Sequence, residues 1–105
     1  MFSRVVTMKL KPNHIADLTK TIDEKVLPLL RKQEGFKDAV FFANNGGAEA
    51  ISISLWDRKE SAESYNTKAY PQVLQSLTNV IDGNPQVKTF EVLSTTLHQV
   101  AATVK

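Results

Sequence analysis

Three aromatic side chains with polar groups, Trp56, Tyr65 and Tyr70, are the first candidates for chemistry in this sequence. An indole N–H can only donate a hydrogen bond, whereas a phenol hydroxyl can donate or accept one. Either tyrosine could therefore donate a hydrogen bond to an oxygen atom of a substrate. The structural alternative is that Trp56 packs at a sheet edge or a dimer seam, and that both tyrosines pack their rings while their hydroxyls face water.

The two histidines, His14 and His98, are the groups that could exchange protons near neutral pH. His14 directly follows the expected cap of a helix, where a histidine is usually exposed and has no role. His98 lies in the tail and is the one alternative general base. Because the two are far apart and neither belongs to a spacing such as His-Glu-x-x-His, no metal site is predicted.

Other kinds of chemistry lack the residues that they need. The chain has no cysteine, which removes thiolate nucleophiles, disulfides and cysteine-ligated metal centres. Ser52 and Ser54 have no base nearby in the sequence, so a nucleophile elbow is not indicated. Gly46 and Gly47 open a strand rather than a helix, which is not the pattern of a phosphate-binding loop. The sequence motifs therefore predict no cofactor.

Length and composition predict a single domain over residues 1–105. The formal net charge is only +2, and the basic residues are spread among acids, which does not favour a nucleic-acid partner. No stretch is apolar enough to cross a membrane, and the N-terminus has no secretory-signal pattern. Together with the absence of cysteine, this makes the cytoplasm the expected location.

Alternation and β-branched residues predict four strands. We expect them at Phe2–Lys11, Phe36–Ala43, Ala48–Trp56 and Val87–Thr95. The segment from Asn44 to Gly47 is the clearest signal for a tight hairpin, because Asn and Gly tolerate the positive φ that such turns need. The segment from Asp82 to Pro85 predicts a turn before the last strand.

Apolar residues at three- and four-residue steps predict a long first helix from His14 to Glu34. Asn13 is the expected N-cap, since its side chain can accept a hydrogen bond from a free N–H of the first turn. Pro28 predicts a kink near Glu24 to Leu27, because proline removes one backbone bond and clashes with the preceding turn. Gly35 suits the left-handed residue after the helix end.

A second helical region is predicted from Glu60 to Ala69, with Asp57 or Ser61 as its cap. Pro71 interrupts this region and is suited to the first turn of a new helix. The apolar stripe of that helix is expected to continue to Ile81.

The order strand, helix, strand, strand, helix, strand is the split βαβ arrangement. It predicts an α+β, ferredoxin-like sandwich in which a four-stranded antiparallel sheet carries the helices on one face. Apolar residues occupy both faces of the later strands, as the neighbours Phe41 and Phe42 illustrate, and a monomer would expose one set of them. We therefore expect a homodimer packed through the sheet faces, the alternative being a loop or tail that covers this face within one chain.

The tail is more apolar than expected for a terminus that packs against nothing. Leu97, Val100, Ala101 and Val104 predict that residues 97–105 form an arm across the dimer partner. The alternative is a frayed end.

Local motifs add a family resemblance over Phe2 to Leu93. The motifs are Glu34-Gly35-Phe36, Ser54-Leu55-Trp56-Asp57, and Lys59-Glu60-Ser61-Ala62 followed by Tyr65. With the element order, they resemble the dimeric α+β barrel superfamily and, within it, the antibiotic-biosynthesis-monooxygenase-like domains. The resemblance implies a cleft between the sheet and the helices of each subunit.

The same resemblance implies a cofactor-independent monooxygenase that acts on, or binds, a small aromatic or quinone-like compound. Trp56 could line the cleft with its N–H as a donor, and Tyr65 or Tyr70 could supply a hydroxyl. Such chemistry needs enclosure, an acceptor for a phenol proton and a donor for the resulting anion. Because no acid–base pair is evident, a non-enzymatic ligand-binding or regulatory dimer stands as the alternative.

Haem degradation, an activity of some similar proteins, is not predicted. Those proteins resemble this chain around Trp56 and use an Asn in the first strand, a Trp in the second helical region and a His ligand. Aligned on Trp56, this chain has Tyr65 and Gln75 at the last two positions and no Asn from Phe2 to Lys11. Glutamine is not a usual haem ligand.

Overall fold

The computed structural model of the chain describes residues 1–97. Its strands are β1 Phe2–Leu10, β2 Phe36–Ala43, β3 Glu49–Trp56 and β4 Ile81–Glu91. They form one four-stranded antiparallel sheet in the order β2-β3-β1-β4. This is the predicted α+β, ferredoxin-like architecture, and its two central strands are β1 and β3.

The first helical region contains the predicted irregularity. Helix α1, Ile15–Thr21, continues through a π-helical turn at Ile22–Val26 into α2, Leu27–Arg31. Pro28 lies in the first turn of α2. Because proline has no N–H and its ring crowds the preceding turn, the widened turn directly before it has a local cause. Gly35 follows with a φ of +82°, as predicted.

The predicted helix caps were wrong. Asn13 adopts a left-handed conformation with a φ of +62°, which this residue type tolerates, and His14 takes the N-cap position. Helices α3, Lys59–Lys68, and α4, Tyr70–Leu77, follow β3. The N-cap of α3 is Arg58, and neither it nor His14 makes a side-chain capping bond.

Strand β4 begins earlier than predicted, because the supposed turn at Asp82 to Pro85 belongs to it. Lys9 pairs with Asp82 and Thr7 pairs with Gln86, so the pairing advances by four residues along β4 while it advances by two along β1. The surplus residues form a bulge, where a proline without an N–H costs no ladder hydrogen bond. Ile81 therefore starts β4 rather than ending the stripe of α4.

The hairpin between β2 and β3 forms as predicted. The side-chain oxygen of Asn44 accepts hydrogen bonds from the N–H groups of Ala48 at 2.9 Å and Glu49 at 3.3 Å. Gly47 supplies the positive φ, +69°. The register of β2 against β3 is thereby fixed from the turn outward.

The core lies between the helices and one face of the sheet. That face contributes Val6, Met8, Leu10, Ala50 and Trp56, which pack against Leu18, Ile22, Val26, Leu30, Val73 and Leu77 of the helices. On the opposite face, which we call the outer face, Val40, Phe42, Ile51 and Phe90 are 40–51% exposed. The predicted arm lies outside the described residues except for Leu97, which is exposed. Within residues 1–97, no helix is long and apolar enough to span a bilayer.

Candidate ligand site between the sheet and the helices

A buried arginine on β1 organises the space between the sheet and α3. Arg4 has the same parity as Val6 and Met8, so the strand directs its side chain toward the helices, where it is only 3% exposed. Arginine is almost never fully buried unless it is paired. In the sequence, Arg4 stands out only as a charge that interrupts the apolar parity of β1, and it was not among the predicted site residues.

The partners of Arg4 are polar and aromatic rather than anionic. Its Nη2 donates a hydrogen bond to Oδ1 of Asn66 at 2.8 Å. Its guanidinium carbon lies 5.0 Å from the ring centre of Tyr65 and 4.4 Å from that of Tyr70, so each ring face stabilises the cation. Among residues 1–97, no carboxylate forms an ion pair with Arg4. Burial lowers the pKa of Arg4, but a guanidinium still stays charged at neutral pH.

The two tyrosines beside Arg4 are hydrogen-bond donors at neutral pH. Burial raises the pKa of Tyr65 to about 12. Burial also raises the pKa of Tyr70, although the Arg4 cation opposes part of that rise. The Tyr70 hydroxyl is buried close to the Arg4 guanidinium, but neither Arg4 nor any other described residue meets it with good hydrogen-bond geometry. A buried hydroxyl without a partner costs about 1–3 kcal/mol, so this donor is available to a ligand.

Trp56 lies behind Tyr65 rather than at an open surface. The indole is fully buried, and its Nε1–H donates to Oγ of Ser54 at 2.9 Å. Its ring centre is 5.0 Å from that of Tyr65 and 5.5 Å from that of Phe36. In this arrangement Trp56 holds the Tyr65 ring, and its own donor is occupied.

The start of α3, which carries both Tyr65 and Asn66, is fixed by a close contact with the end of the first helical region. Ser61 Oγ donates to Oδ1 of Asp57 at 2.5 Å, and the Asp57 N–H donates to the Gly35 carbonyl at 2.8 Å. A side chain at Gly35 would collide with Asp57 and Ser61. The Glu-Gly-Phe and Trp-Asp motifs of the sequence thus meet here, and they position α3 over Arg4.

Two spaces adjoin Arg4. The inner cavity, bounded by Arg4, Tyr65, Tyr70, Val26 and Phe41 among others, has a volume of about 30 Å³. It could hold roughly one water molecule. The outer groove has a volume of about 480 Å³, which falls within the range of ligand sites, and it opens between α3 and the β1–β4 edge. Its lining residues are Phe2, Arg4, Lys59, Ala62, Glu63, Asn66, Thr67, Val87 and Thr89.

The histidines do not contribute to this site in the part of the chain that is described. His14 lies at the start of α1 with its Nδ1 2.9 Å from Oδ2 of Asp17, and His98 lies outside residues 1–97. Within that range, no three His, Asp or Glu side chains are grouped as metal ligands. Of the predicted site residues, the structure brings Trp56, Tyr65 and Tyr70 into one cluster and adds Arg4 and Asn66 to it.

Several solved structures share this fold. A monooxygenase from Streptomyces coelicolor, solved with nanaomycin D, has a TM-score of 0.75 at 17% identity, covering 93% of this chain and 92% of that one. A cofactor-independent oxygenase from Streptomyces nogalater has a TM-score of 0.75 at 10% identity, covering 92% and 97%. A protein of unknown function from Nitrosomonas europaea has a TM-score of 0.75 at 15% identity, covering 93% and 94%.

No family model matches the chain, and no curated protein matches it significantly. At such low identities the structural likeness shows the fold alone. That fold is the one adopted by antibiotic-biosynthesis-monooxygenase-like proteins, so the resemblance predicted from the sequence is confirmed at the level of architecture.

Proposed function

We propose that this protein is a cofactor-independent monooxygenase that acts on a small aromatic or quinone-like compound. The observation that carries the proposal is the cluster of Arg4, Tyr65 and Tyr70, a buried cation with neutral phenol donors, next to the outer groove. The shared fold with a cofactor-independent oxygenase supports the choice of reaction.

The reaction class sets what the site must supply. When a methylene group between aromatic rings becomes a carbonyl, R₂CH₂ + O₂ gives R₂CO + H₂O. One oxygen atom enters the substrate and the other leaves as water with the two hydrogen atoms. The substrate carbon provides all four electrons that reduce O₂ in this step, so no external reductant is required. Its conjugate base is the species that reacts with oxygen, and stabilising that anion is the protein's main task.

Each cluster residue has a role in that task. Arg4 would bind the substrate oxyanion, because it is the charged donor that lines the outer groove, and the ring of Tyr70 would hold its guanidinium in place. Trp56 would keep the ring of Tyr65 in place. The low dielectric of the buried cluster strengthens both contacts.

A homodimer through the outer face is part of this proposal. Val40, Phe42, Ile51 and Phe90 form an apolar surface that a second copy would cover. The helices occupy the other side of the sheet, so such a dimer would leave the outer groove accessible.

A non-enzymatic ligand-binding module is the second candidate. The small inner cavity favours it, since an aromatic substrate cannot enter that space without movement of the helices. The absence of a neutral base among Arg4, Tyr65 and Tyr70 also favours it.

Oxygen uptake separates the two candidates. Anthrones and hydroquinones, including acidic members that are ionised at neutral pH, would be tested with a chelator present and no added metal, together with thermal-shift measurements on the same compounds. A monooxygenase consumes oxygen above the buffer rate and loses this activity in Arg4→Met. A thermal shift without oxygen uptake supports the binding module, and a flat result in both assays would sink the proposed activity.

A further inference from the structure

We propose that Arg4 is an anion-recognition residue and that the ligand enters the outer groove already ionised, displacing Asn66 from the guanidinium. The inference rests on the proposed function for the location of the site, and it adds the charge of the compound that binds there. It follows from three features of the Arg4 environment.

The first feature is an uncompensated buried charge. Arg4 is 3% exposed and forms no ion pair with a carboxylate of residues 1–97. Removing a guanidinium from water is costly, and two aromatic faces and one amide return only part of that cost. An anion with oxygen acceptors would meet the planar N–H donors of Arg4 in the geometry that they favour.

The second feature is that the present partner can leave. Asn66 is an exposed residue of α3, and both it and Arg4 line the outer groove. Its amide oxygen is a neutral acceptor at 2.8 Å, at the place where an anionic oxygen arriving from the groove would bind. When an anion displaces it, the amide can turn to water at little cost, because the side chain is already solvated.

The third feature is the lack of a base around Arg4. Tyr65 and Tyr70 both hold their protons at neutral pH, so the cluster consists of donors and a cation. Glu63, the one carboxylate in the lining of the outer groove, is balanced there by Lys59 on the same helix. A site of this composition binds an anion and has little means of making one, so the ligand has to be acidic enough to be ionised in solution.

Lawsone and its methyl ether provide a matched pair of probes. Lawsone is a hydroxynaphthoquinone that is ionised at neutral pH, whereas the methyl ether has almost the same shape and no charge. In calorimetric titrations, we expect wild-type protein to bind lawsone at least about tenfold more tightly than the ether. Arg4→Met should bring the two affinities together, and Arg4→Lys should restore part of the preference. Arg31→Met, which removes an exposed cation from the end of α2, serves as the charge-matched control and should keep the preference.

A second variant tests the displacement of Asn66, and for this variant we expect tighter rather than weaker binding of lawsone. Asn66→Ala removes an exposed side chain, so the fold should persist, and it leaves Arg4 without its neutral partner. Lawsone should then bind several-fold more tightly than to wild type, because no hydrogen bond has to be broken first. Equal affinities for the two probes, no binding of lawsone, or weaker lawsone binding to Asn66→Ala would each overturn the proposal.

The result of these titrations does not depend on whether the protein is an oxygenase. A preference for lawsone without oxygen uptake on any hydroquinone retains anion recognition and removes the monooxygenase. Oxygen uptake with neutral substrates, without a preference for the anionic probe, retains the monooxygenase and removes anion recognition.

Discussion

The guanidinium carbon of Arg4 lies 4.4 Å from the ring centre of Tyr70, and the hydroxyl of that tyrosine is buried with no hydrogen-bond partner of good geometry among residues 1–97. A buried cation and a buried unpaired donor each reduce the stability of a folded protein. The burial of Arg4 is more consistent with a binding site than with a structural cluster, since a cation that is costly to the empty protein gains a partner when an anion binds in the outer groove.

Tyr70→Phe should separate stability from binding. Removing the unpaired hydroxyl while keeping the ring over Arg4 should raise the free energy of unfolding by up to about 1–2 kcal/mol. Thermal and urea unfolding measure that change. The same variant should bind lawsone about as tightly as wild type, because Tyr70 lines the inner cavity and not the outer groove in which the anion meets Arg4. A Tyr70→Phe protein that is less stable than wild type, or one that binds lawsone much more weakly, would contradict this account.

Alkaline pH should destabilise the protein through Tyr65. Its pKa is about 12 in the folded protein, above the ordinary value of 10.0. The unfolded chain therefore releases this proton first, so the contribution is fully present below about pH 10 and is lost as the pH rises toward about 12. Urea unfolding at a series of alkaline pH values should show a falling free energy of unfolding. The Tyr65→Phe variant should show a shallower fall; an identical fall would mean that other groups account for it.

Gly35→Ala should be strongly destabilising although the residue touches no ligand. The φ of Gly35 is +82°, which L side chains rarely adopt, and a Cβ would collide with Asp57 and Ser61. Backbone strain and overpacking together should cost about 2–4 kcal/mol of unfolding free energy. Gly46→Ala is the control, because a Cβ there would meet nothing within 4 Å. Equal stability of the two variants in urea unfolding would mean that the contact does not hold α3.

The sequence predicted the parts of this fold that local chemistry determines. Asn44 to Gly47 specified the hairpin, and Pro28 indicated where the first helix is irregular. Asp82 to Pro85 has the composition of a turn, but pairing of β4 with β1 turns it into a bulge, and no local signal distinguishes the two.

The same limit explains how much of the site could be predicted. Trp56, Tyr65 and Tyr70 were recognisable by residue type, whereas Arg4 appeared only as an exception in an apolar strand. Its burial depends on where α3 sits, and that position comes from contacts at Gly35 and Asp57, which lie far from Arg4 in sequence. The hydrogen bond from Trp56 to Ser54 could have been predicted from the sequence, since residues two apart on a strand share a face.

The outer face leads to the remaining prediction, which concerns assembly. Ile51 lies on β3, next to Phe42 on β2, and is 40% exposed. We expect wild-type protein at micromolar concentration to scatter light as a particle of about twice 11.7 kDa. Ile51→Lys should shift it toward the monomer, because packing two sheets face to face would bury the new ammonium group without a partner.

The folded monomer should tolerate this substitution, since a lysine at a partly exposed position can extend its charged end into water. Gln72→Lys, at an exposed position of α4 on the helical side of the sheet, adds the same charge and should leave the dimer intact. Circular dichroism of all three proteins checks that the change is one of assembly rather than of folding. Two results would show that the outer face is not the interface: a monomeric wild-type protein, or an Ile51→Lys protein that dimerises as strongly as Gln72→Lys. Another part of the chain or another partner would then have to cover Val40, Phe42 and Phe90.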